Sequence, residues 1–363
     1  MRTPRTASLA SIASNFSGIA LLFVVFTTSQ SEGIVNYLVK FLPFMVMSLG
    51  LVHLGRFPRR RQYTMRFLGL LGLLFTATIA PEGLNKSIAL FIIALTLIAL
   101  VPQNFAGRLP TFAYFAMIAN IVIYFAEIIL NAGLHLNFDP TVLNMIGAGR
   151  DATVSTWQIT RFAGQHDEPG SLGTNIAGLL ILSLLDQRRP TVAHWTALFV
   201  LMSTLSITSM IMAVLVFFTV VQRIGVSIKS GLTMLFVGIL AVIGLFQFLP
   251  NYGLDVVGYF EYRLVERNTV DGSIYVKSQL IDGFINGGVL QNIVGNRFAE
   301  CSYCGYSKSM GFGFHVLFQS GFIGFLTLAV ILFIAVRTYG LLGFLLGLTL
   351  MLSRLDIYYG QAI

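Results

Sequence analysis

Long apolar runs recur along almost the whole chain, with short polar segments between them. A membrane helix needs about 20 predominantly apolar residues. Eleven stretches approach that length when flanking residues are included, so the pattern predicts an all-α, polytopic membrane protein with about eleven transmembrane helices. The predicted spans are 17–29, 34–55, 67–80, 87–102, 111–131, 169–185, 191–205, 208–221, 230–249, 311–336 and 340–357.

Composition excludes the main soluble alternatives. Of 363 residues only 10% are charged and 56% are hydrophobic, and the mean hydropathy is +0.80. A soluble chain carries roughly 25% charged residues, and so small a polar remainder cannot cover this much apolar surface. The same excess excludes disorder, and two cysteines exclude a disulfide-built scaffold. Because no repeat or linker interrupts the pattern, residues 1–363 are predicted to form a single membrane domain.

Lysine and arginine predict the orientation, because cytoplasmic loops are enriched in both. With a cytoplasmic N-terminus, short inner loops hold 13 of the 23 basic residues and one acid, Asp186. If residues 191–221 formed one bent helix, the orientation of every later span would be inverted. Two short helices with a turn near Ser206–Ser209 instead keep the basic loops on the inner side. The inner basic residues are Arg2, Arg5, Arg56, Arg59, Arg60, Arg61, Arg66, Arg108, Arg188, Arg189, Arg223, Lys229 and Arg337. Because these basic residues lie in short loops between apolar runs, where they determine the membrane orientation, the net charge of +8 does not indicate nucleic-acid binding.

Two long loops, about 132–168 and 250–310, emerge on the outer face in this topology. The first ends in the sequence RFAGQHDEPG, directly before the sixth span. A helix cap explains part of it, because acids favour a helix start and Pro169 suits the first helical position. The cap accounts for Asp167 and Glu168 but not for Arg161 or His166. Two readings stay open: a cap alone, or a substrate site that also uses the cap.

The second outer loop is rich in arginine and aromatic residues. Arg263, Glu266 and Arg267 are spaced three and four apart, so on a helix they share one face. Lys277 and Arg297 follow in the same loop. The segment is either a solvated amphipathic loop with ordinary ion pairs or an anion site, since arginine holds phosphate through two parallel hydrogen bonds.

Other chemical motifs are sparse. Cys301 and Cys304 form one CxxC, which is compatible with a local disulfide, free thiols or a metal site, although a closed zinc site needs four ligands. The sequence contains no P-loop, GxGxxG or HExxH motif, so nucleotide-driven chemistry is poorly supported. We therefore predict no cofactor and no metal.

The first loop and the following span resemble the bacterial O-antigen polymerases, the oligosaccharide repeat-unit polymerases. The shared pattern is R-F-x-G-x-x-x-E-P-x-x-x-G at a span start, and it is matched by Arg161, Phe162, Gly164, Glu168, Pro169 and Gly173. A later pattern, S-x-x-x-G-x-x-G, is matched by Gln319, Ser320, Gly321 and Gly324, with the serine in a shifted position. The resemblance covers roughly 150–335 and the overall span plan. Lys277 stands where the family often has an arginine, near the start of the main helix of the second loop.

The resemblance implies a metal-independent, inverting glycosyltransferase at the outer face of the bacterial cytoplasmic membrane. Its donor would be a glycan repeat unit on a polyprenyl diphosphate, used to build O-antigen, capsule or exopolysaccharide. Arg161, Arg263 and Arg267 would stabilise the diphosphate as charge develops, with Lys277 and Arg297 beside them. His166 or Glu168 would deprotonate the attacking sugar hydroxyl. Implied partners are membrane lipid and the flippase and chain-length regulator of the same pathway.

Two alternatives stay open. The related O-antigen ligases tend to place a histidine about eleven residues before the glycine pair. That position is Met310 here, and His315 lies deeper, where it is a candidate substrate contact. This departure favours a polymerase over a ligase. A transporter would predict repeated halves and ionisable residues at the membrane midplane, whereas the ionisable residues here gather in outer loops.

Overall fold

The structure is a computed structural model. It describes residues 103–136, 138, 140, 162–164, 166, 169–185, 189–227, 229–233, 236–237, 272–295 and 310–353. Within these residues the chain is helical and contains no strand. The helices are α1 (Gln103–Ile128), α2 (Pro169–Ser183), α3 (Val192–Ser203), α4 (Ile207–Arg223), α5 (Gly272–Asn286), α6 (Gly288–Val294), α7 (Phe312–Tyr339) and α8 (Leu341–Leu352).

Six of these helices coincide with predicted spans, but few have a full membrane length. In the described part, Leu109–Gly133 is long and apolar enough to cross a membrane, and it includes a π-helical turn after α1. The segments Phe312–Leu326 and Leu328–Tyr339 of α7 would make a second span, bent by 60°. The remaining helices are shorter. The prediction of an all-helical chain is confirmed for the described residues, whereas a count of eleven spans is not established. The first four predicted spans and most of 230–249 lie outside the described residues.

Side-chain contacts give the helix directions. Tyr114 bonds Thr191 at 3.1 Å and Tyr124 bonds Ser203 at 2.9 Å, so α1 and α3 run parallel. Ser209 Oγ lies 3.4 Å from the Pro169 carbonyl, which brings the starts of α4 and α2 together.

Helices α3 and α4 form an antiparallel hairpin. Trp195, near the start of α3, packs edge-on against Phe217, in the later half of α4. The chain reverses at Leu205, whose φ of 50° is unusual for a residue with a side chain. Two short helices with a turn, rather than one bent helix, are therefore confirmed, and the turn falls just before Ser206.

The alternating directions give the bundle two chemically different ends. Helix α8 ends near the start of α7, because the Phe312 N–H donates to the Ser353 carbonyl at 2.6 Å. We call the end where α1 finishes and α2 begins the site end. The other is the basic end, because basic residues lie near the ends of α1, α2, α4 and α7 there; they are Arg108, Arg189, Arg223, Lys229 and Arg337.

Helix α2 forms the centre of the core. Every one of its residues except Leu182 is buried, because neighbouring helices surround it. Gly173 permits the closest approach, since a Cβ there would lie well inside contact distance of Ser209 Oγ on α4. Gly173 therefore lies on a close-packing face of α2. This packing fixes the position of α2, and so of the segment just before it, relative to α1 and α4.

The predicted loop 250–310 contains two helices that the hydropathy pattern does not assign. Helices α5 and α6 pack on α7, where Phe284 contacts Phe322 at a ring distance of 6.2 Å. Gly295, after α6, meets Gly321, which has non-helical dihedral angles inside α7 (φ 62°, ψ −162°). Gly321 therefore both interrupts α7 and seats α6.

Candidate functional site

A buried carboxylate on α1 holds the segment that precedes α2. Glu127 is 1% exposed, and its Oε2 accepts hydrogen bonds from the backbone N–H groups of Ala163 (3.1 Å) and Gly164 (2.6 Å). Gly164 has φ of +56°, a conformation that side chains disfavour. Hydrogen bonds to a buried carboxylate are among the stronger ones in proteins. Glu127 thereby fixes the backbone two and three residues after Arg161.

His166 is a second anchor for the same segment. Its side chain is 0% exposed. Its Nε2 lies 3.1 Å from Asn120 Oδ1 on α1, and its Nδ1 lies 3.2 Å from Asn175 Nδ2 on α2. Because an amide nitrogen can only donate, Nδ1 is the acceptor, and Nε2 carries the proton that Asn120 Oδ1 accepts. The imidazole is thus a neutral link between two helices.

The segment forms a tight turn. The His166 N–H donates to the Ala163 carbonyl at 3.0 Å. The turn points His166 into the bundle and not along an extended strand. Residues 167 and 168, which join this turn to α2, lie outside the described residues. Helix α2 does begin at Pro169, as predicted.

The other predicted site residues are distributed as follows. Glu168, Arg161, Arg263, Arg267 and Arg297 lie outside the described residues, as do Cys301 and Cys304. Lys277 lies in the second turn of α5, and its side chain is also outside the description. His315 is 3% exposed in the first turn of α7, at the site end. The structure brings His166 together with Glu127, Asn120 and Asn175, and it leaves the meeting of the two arginine groups a prediction.

Sequence reasoning missed two members of this site. Asn120 and Asn175 are amides within apolar spans, one on each side of His166. Each is at most 3% exposed. Their signal was present, because a polar side chain inside an apolar span needs a partner. Glu127, near the end of the predicted fifth span, was likewise not among the predicted site residues, and the structure buries it.

The buried histidine at the basic end, His194, has a structural role only. His194 Nδ1 accepts a hydrogen bond from the Thr191 backbone N–H at 3.0 Å, and its Nε2 lies 3.0 Å from Ser183 Oγ. These contacts join the start of α3 to the end of α2. Satisfied polar contacts therefore explain why His194 is buried.

The site end therefore offers a turn that is held by one carboxylate and one imidazole. Arg161 and Glu168 flank this turn in the sequence and lie outside the described residues. Such a turn can fix groups that bind an anion and move a proton. Within the described residues, no group of three or more His, Cys, Asp or Glu side chains could hold a metal ion. No protein-family model, curated protein or solved structure matches the chain.

Proposed function

We propose that this chain is a multi-span glycosyltransferase of the bacterial cytoplasmic membrane, with about eleven spans and a cytoplasmic N-terminus. It would polymerise polyprenyl-diphosphate-linked oligosaccharide repeat units at the outer face of that membrane. The sequence motif from Arg161 to Gly173 supports this function. The observation that carries the proposal furthest is the anchoring of that motif, in which Glu127 and His166 fix its backbone beside the start of α2.

The chemistry requires few protein groups. The hydroxyl oxygen of the acceptor sugar attacks the anomeric carbon of the donor, and the bond from that carbon to the diphosphate oxygen breaks. Polyprenyl diphosphate leaves with the electron pair, and a base takes the hydroxyl proton. A single displacement inverts the anomeric configuration. The arginines of the two long loops would stabilise the negative charge on the leaving oxygen.

We favour Glu168 over His166 as the base. Both ring nitrogens of His166 are engaged by buried amides, so the ring must give up a bond before it can take a proton. Glu168 follows the turn and directly precedes α2, whose N-terminus favours negative charge and so favours an ionised carboxylate. In this scheme His166 is a positioning residue.

A transporter is the second candidate, because the interruption of α7 at Gly321 is a feature common in transporters. A ligase that moves finished glycan to another acceptor is a further member of the same enzyme group. The two enzymes differ in product, since a polymerase yields a ladder of repeats and a ligase a single transfer.

Alanine and lysine variants of Arg161 test the anion role. Arg161→Ala should abolish polymer in cells while protein levels stay normal, and Arg161→Lys should also be poor because an ammonium group lacks the planar fork. At least one of the alanine variants of Arg263, Arg267 and Arg297 should be nearly as severe. Arg189→Ala is the matched control, because Arg189 is exposed at the basic end. Normal chain lengths from all four site variants would exclude the diphosphate role.

A further inference from the structure

Helices α5 and α6 expose large apolar side chains in a segment that the hydropathy pattern assigns to an outer loop. Five of these side chains are 39–77% exposed, and we call them the outer apolar face; they are Ile281, Ile285, Val289, Leu290 and Ile293. A surface in water carries such side chains singly, whereas a cluster of them marks a contact with something apolar.

Polar and apolar side chains occupy separate stripes of α5. The exposed polar stripe has a spacing of four residues, which places it on one side of the helix; its members are Ser278, Asp282 and Asn286. Leu280 and Phe284 form the stripe that packs on α7. Ile281 and Ile285 follow them by one residue, about 100° further round the helix, so they lie between the packed stripe and the polar stripe. Helix α5 is therefore amphipathic, and its apolar sector is wider than α7 covers.

Contacts place the pair beside the first segment of α7. Phe284 contacts Phe322, which is itself 51% exposed, so the apolar surface of α5 continues onto α7. The end of α6 packs against Gly321. From Phe312 to Gly321 the helix advances roughly 14 Å. Because Phe312–Leu326 is one of the two segments that would together cross a membrane, α5 and α6 lie at the depth of that segment and not beyond its end.

Charge also favours an apolar occupant. Among the described side chains from 278 to 295, Asp282 is the one that carries a charge, and it belongs to the polar stripe. The outer apolar face thus offers no group that could pair with a charged partner. Hydrocarbon requires no such group.

We propose that α5 and α6 lie in the outer boundary of the bilayer, with the outer apolar face in contact with lipid acyl chains and the polar stripe toward water. This is the arrangement of an interfacial amphipathic helix. The inference rests on the proposed membrane location. It adds that part of the second long loop is held at the level of the lipid, where a lipid-linked diphosphate would be presented.

Tryptophan fluorescence of the full-length protein in lipid nanodiscs tests the contact. Trp157 and Trp195 are first replaced by phenylalanine. The nanodiscs contain phosphatidylcholine with or without bromine on the acyl chains, because bromine quenches tryptophan only at close range. Brominated lipid should quench Ile285→Trp and Val289→Trp strongly. Asn286→Trp, on the polar stripe, is the matched control and should keep nearly all of its fluorescence.

A tryptophan on α1 separates this proposal from the membrane location on which it rests. Val122 is 60% exposed within Leu109–Gly133, which is long and apolar enough to cross a membrane. Val122→Trp should be quenched as strongly as Ile285→Trp. Quenching of Val122→Trp alone would overturn the interfacial helices and leave the membrane location intact. If neither variant is quenched, both are wrong.

Cysteine reactivity gives an independent result. In nanodiscs, with Cys301 and Cys304 replaced by serine, Ile285→Cys should react with a water-soluble maleimide far more slowly than Asn286→Cys. The reason is that the reactive thiolate does not form in hydrocarbon. After denaturation the two rates should become equal. Equal rates in the folded protein would mean that water covers this face, and crosslinking of two copies through Ile285→Cys would assign it to a dimer; either result contradicts the lipid contact.

Discussion

At the residue scale, the candidate site depends on contacts between positions far apart in the chain. The resemblance and the local spacing identified His166 and Glu168, because the motif is contiguous. They could not show that Glu127 accepts hydrogen bonds from backbone N–H groups 36 and 37 positions later in the chain. Nor could they show that Asn120 and Asn175 both form hydrogen bonds with His166. Hydrogen bonds of that range depend on how helices pack, which no local pattern encodes.

Loss of the Glu127 carboxylate should release the turn. Glu127→Ala leaves two buried N–H groups unpaired, which should lower the free energy of unfolding by about 2–5 kcal/mol in total. Polymer should be lost even in the folded fraction, because the backbone of Ala163 and Gly164 is no longer held. Tyr124→Phe is the control: it removes one hydrogen bond one turn away and should cost about 1 kcal/mol with polymer retained. Normal polymer from Glu127→Ala would show that the anchoring is not needed.

The pH dependence of turnover should separate the two base candidates. If Glu168 is the base, the rate falls on the acid side near a pH of about 4.3, the ordinary value for glutamate, and Glu168→Gln loses roughly 10²–10⁴-fold in rate. His166→Gln should reduce stability more than the rate per folded molecule. An acid limb near about 6.5 that disappears in His166→Gln would instead assign the base to His166.

At the element scale, helix positions follow the hydropathy pattern and helix interruptions do not. The start of α2 at Pro169 and the break between α3 and α4 were both predicted, because proline and short apolar runs mark them in sequence. The interruption at Gly321 and helix α6 were not, and α5 was implied only by the family resemblance, which places a helix near Lys277. Contacts of α5 and α6 with α7 stabilise these elements, and a glycine in the sequence does not by itself indicate whether a helix will bend.

Close packing of α2 against α4 predicts the effect of one methyl group. Gly173→Ala places a Cβ against Ser209 Oγ and should destabilise the protein by about 1–3 kcal/mol. Ser209→Gly in the same chain should recover part of that loss. Gly283→Ala on α5 is the control, because nothing lies within 4 Å of its added Cβ, and it should be neutral or slightly stabilising. Equal melting temperatures for Gly173→Ala and wild type would contradict the packing.

At the scale of the whole molecule, the alternating helices separate the site end from the basic end. The orientation was predicted from lysine and arginine because those residues flank the predicted spans, and it stays a prediction. The arrangement of the two long loops relative to each other could not be predicted, because tertiary structure determines it and no local pattern encodes it.

Cysteine labelling in intact cells tests the sidedness. In a background with Cys301 and Cys304 replaced by serine, cysteines at positions 140 and 270 should react with an impermeant maleimide. A cysteine at position 226, in the turn after α4 at the basic end, should react only after permeabilisation. Labelling of 140 or 270 only after permeabilisation would place the two arginine groups on different sides or inside the cell, and the proposed mechanism would fail.

The central claim is that this chain joins lipid-linked repeat units, and a reconstituted reaction tests it most directly. Purified protein in detergent, given polyprenyl-diphosphate-linked repeat units and EDTA but no nucleotide sugar, should form a ladder of oligomers. One polyprenyl diphosphate should be released for each new glycosidic bond, and the new linkage should be inverted relative to the donor. If no bond forms, while the same protein in liposomes moves the lipid-linked unit across the bilayer, the chain is a transporter and the polymerase assignment is wrong.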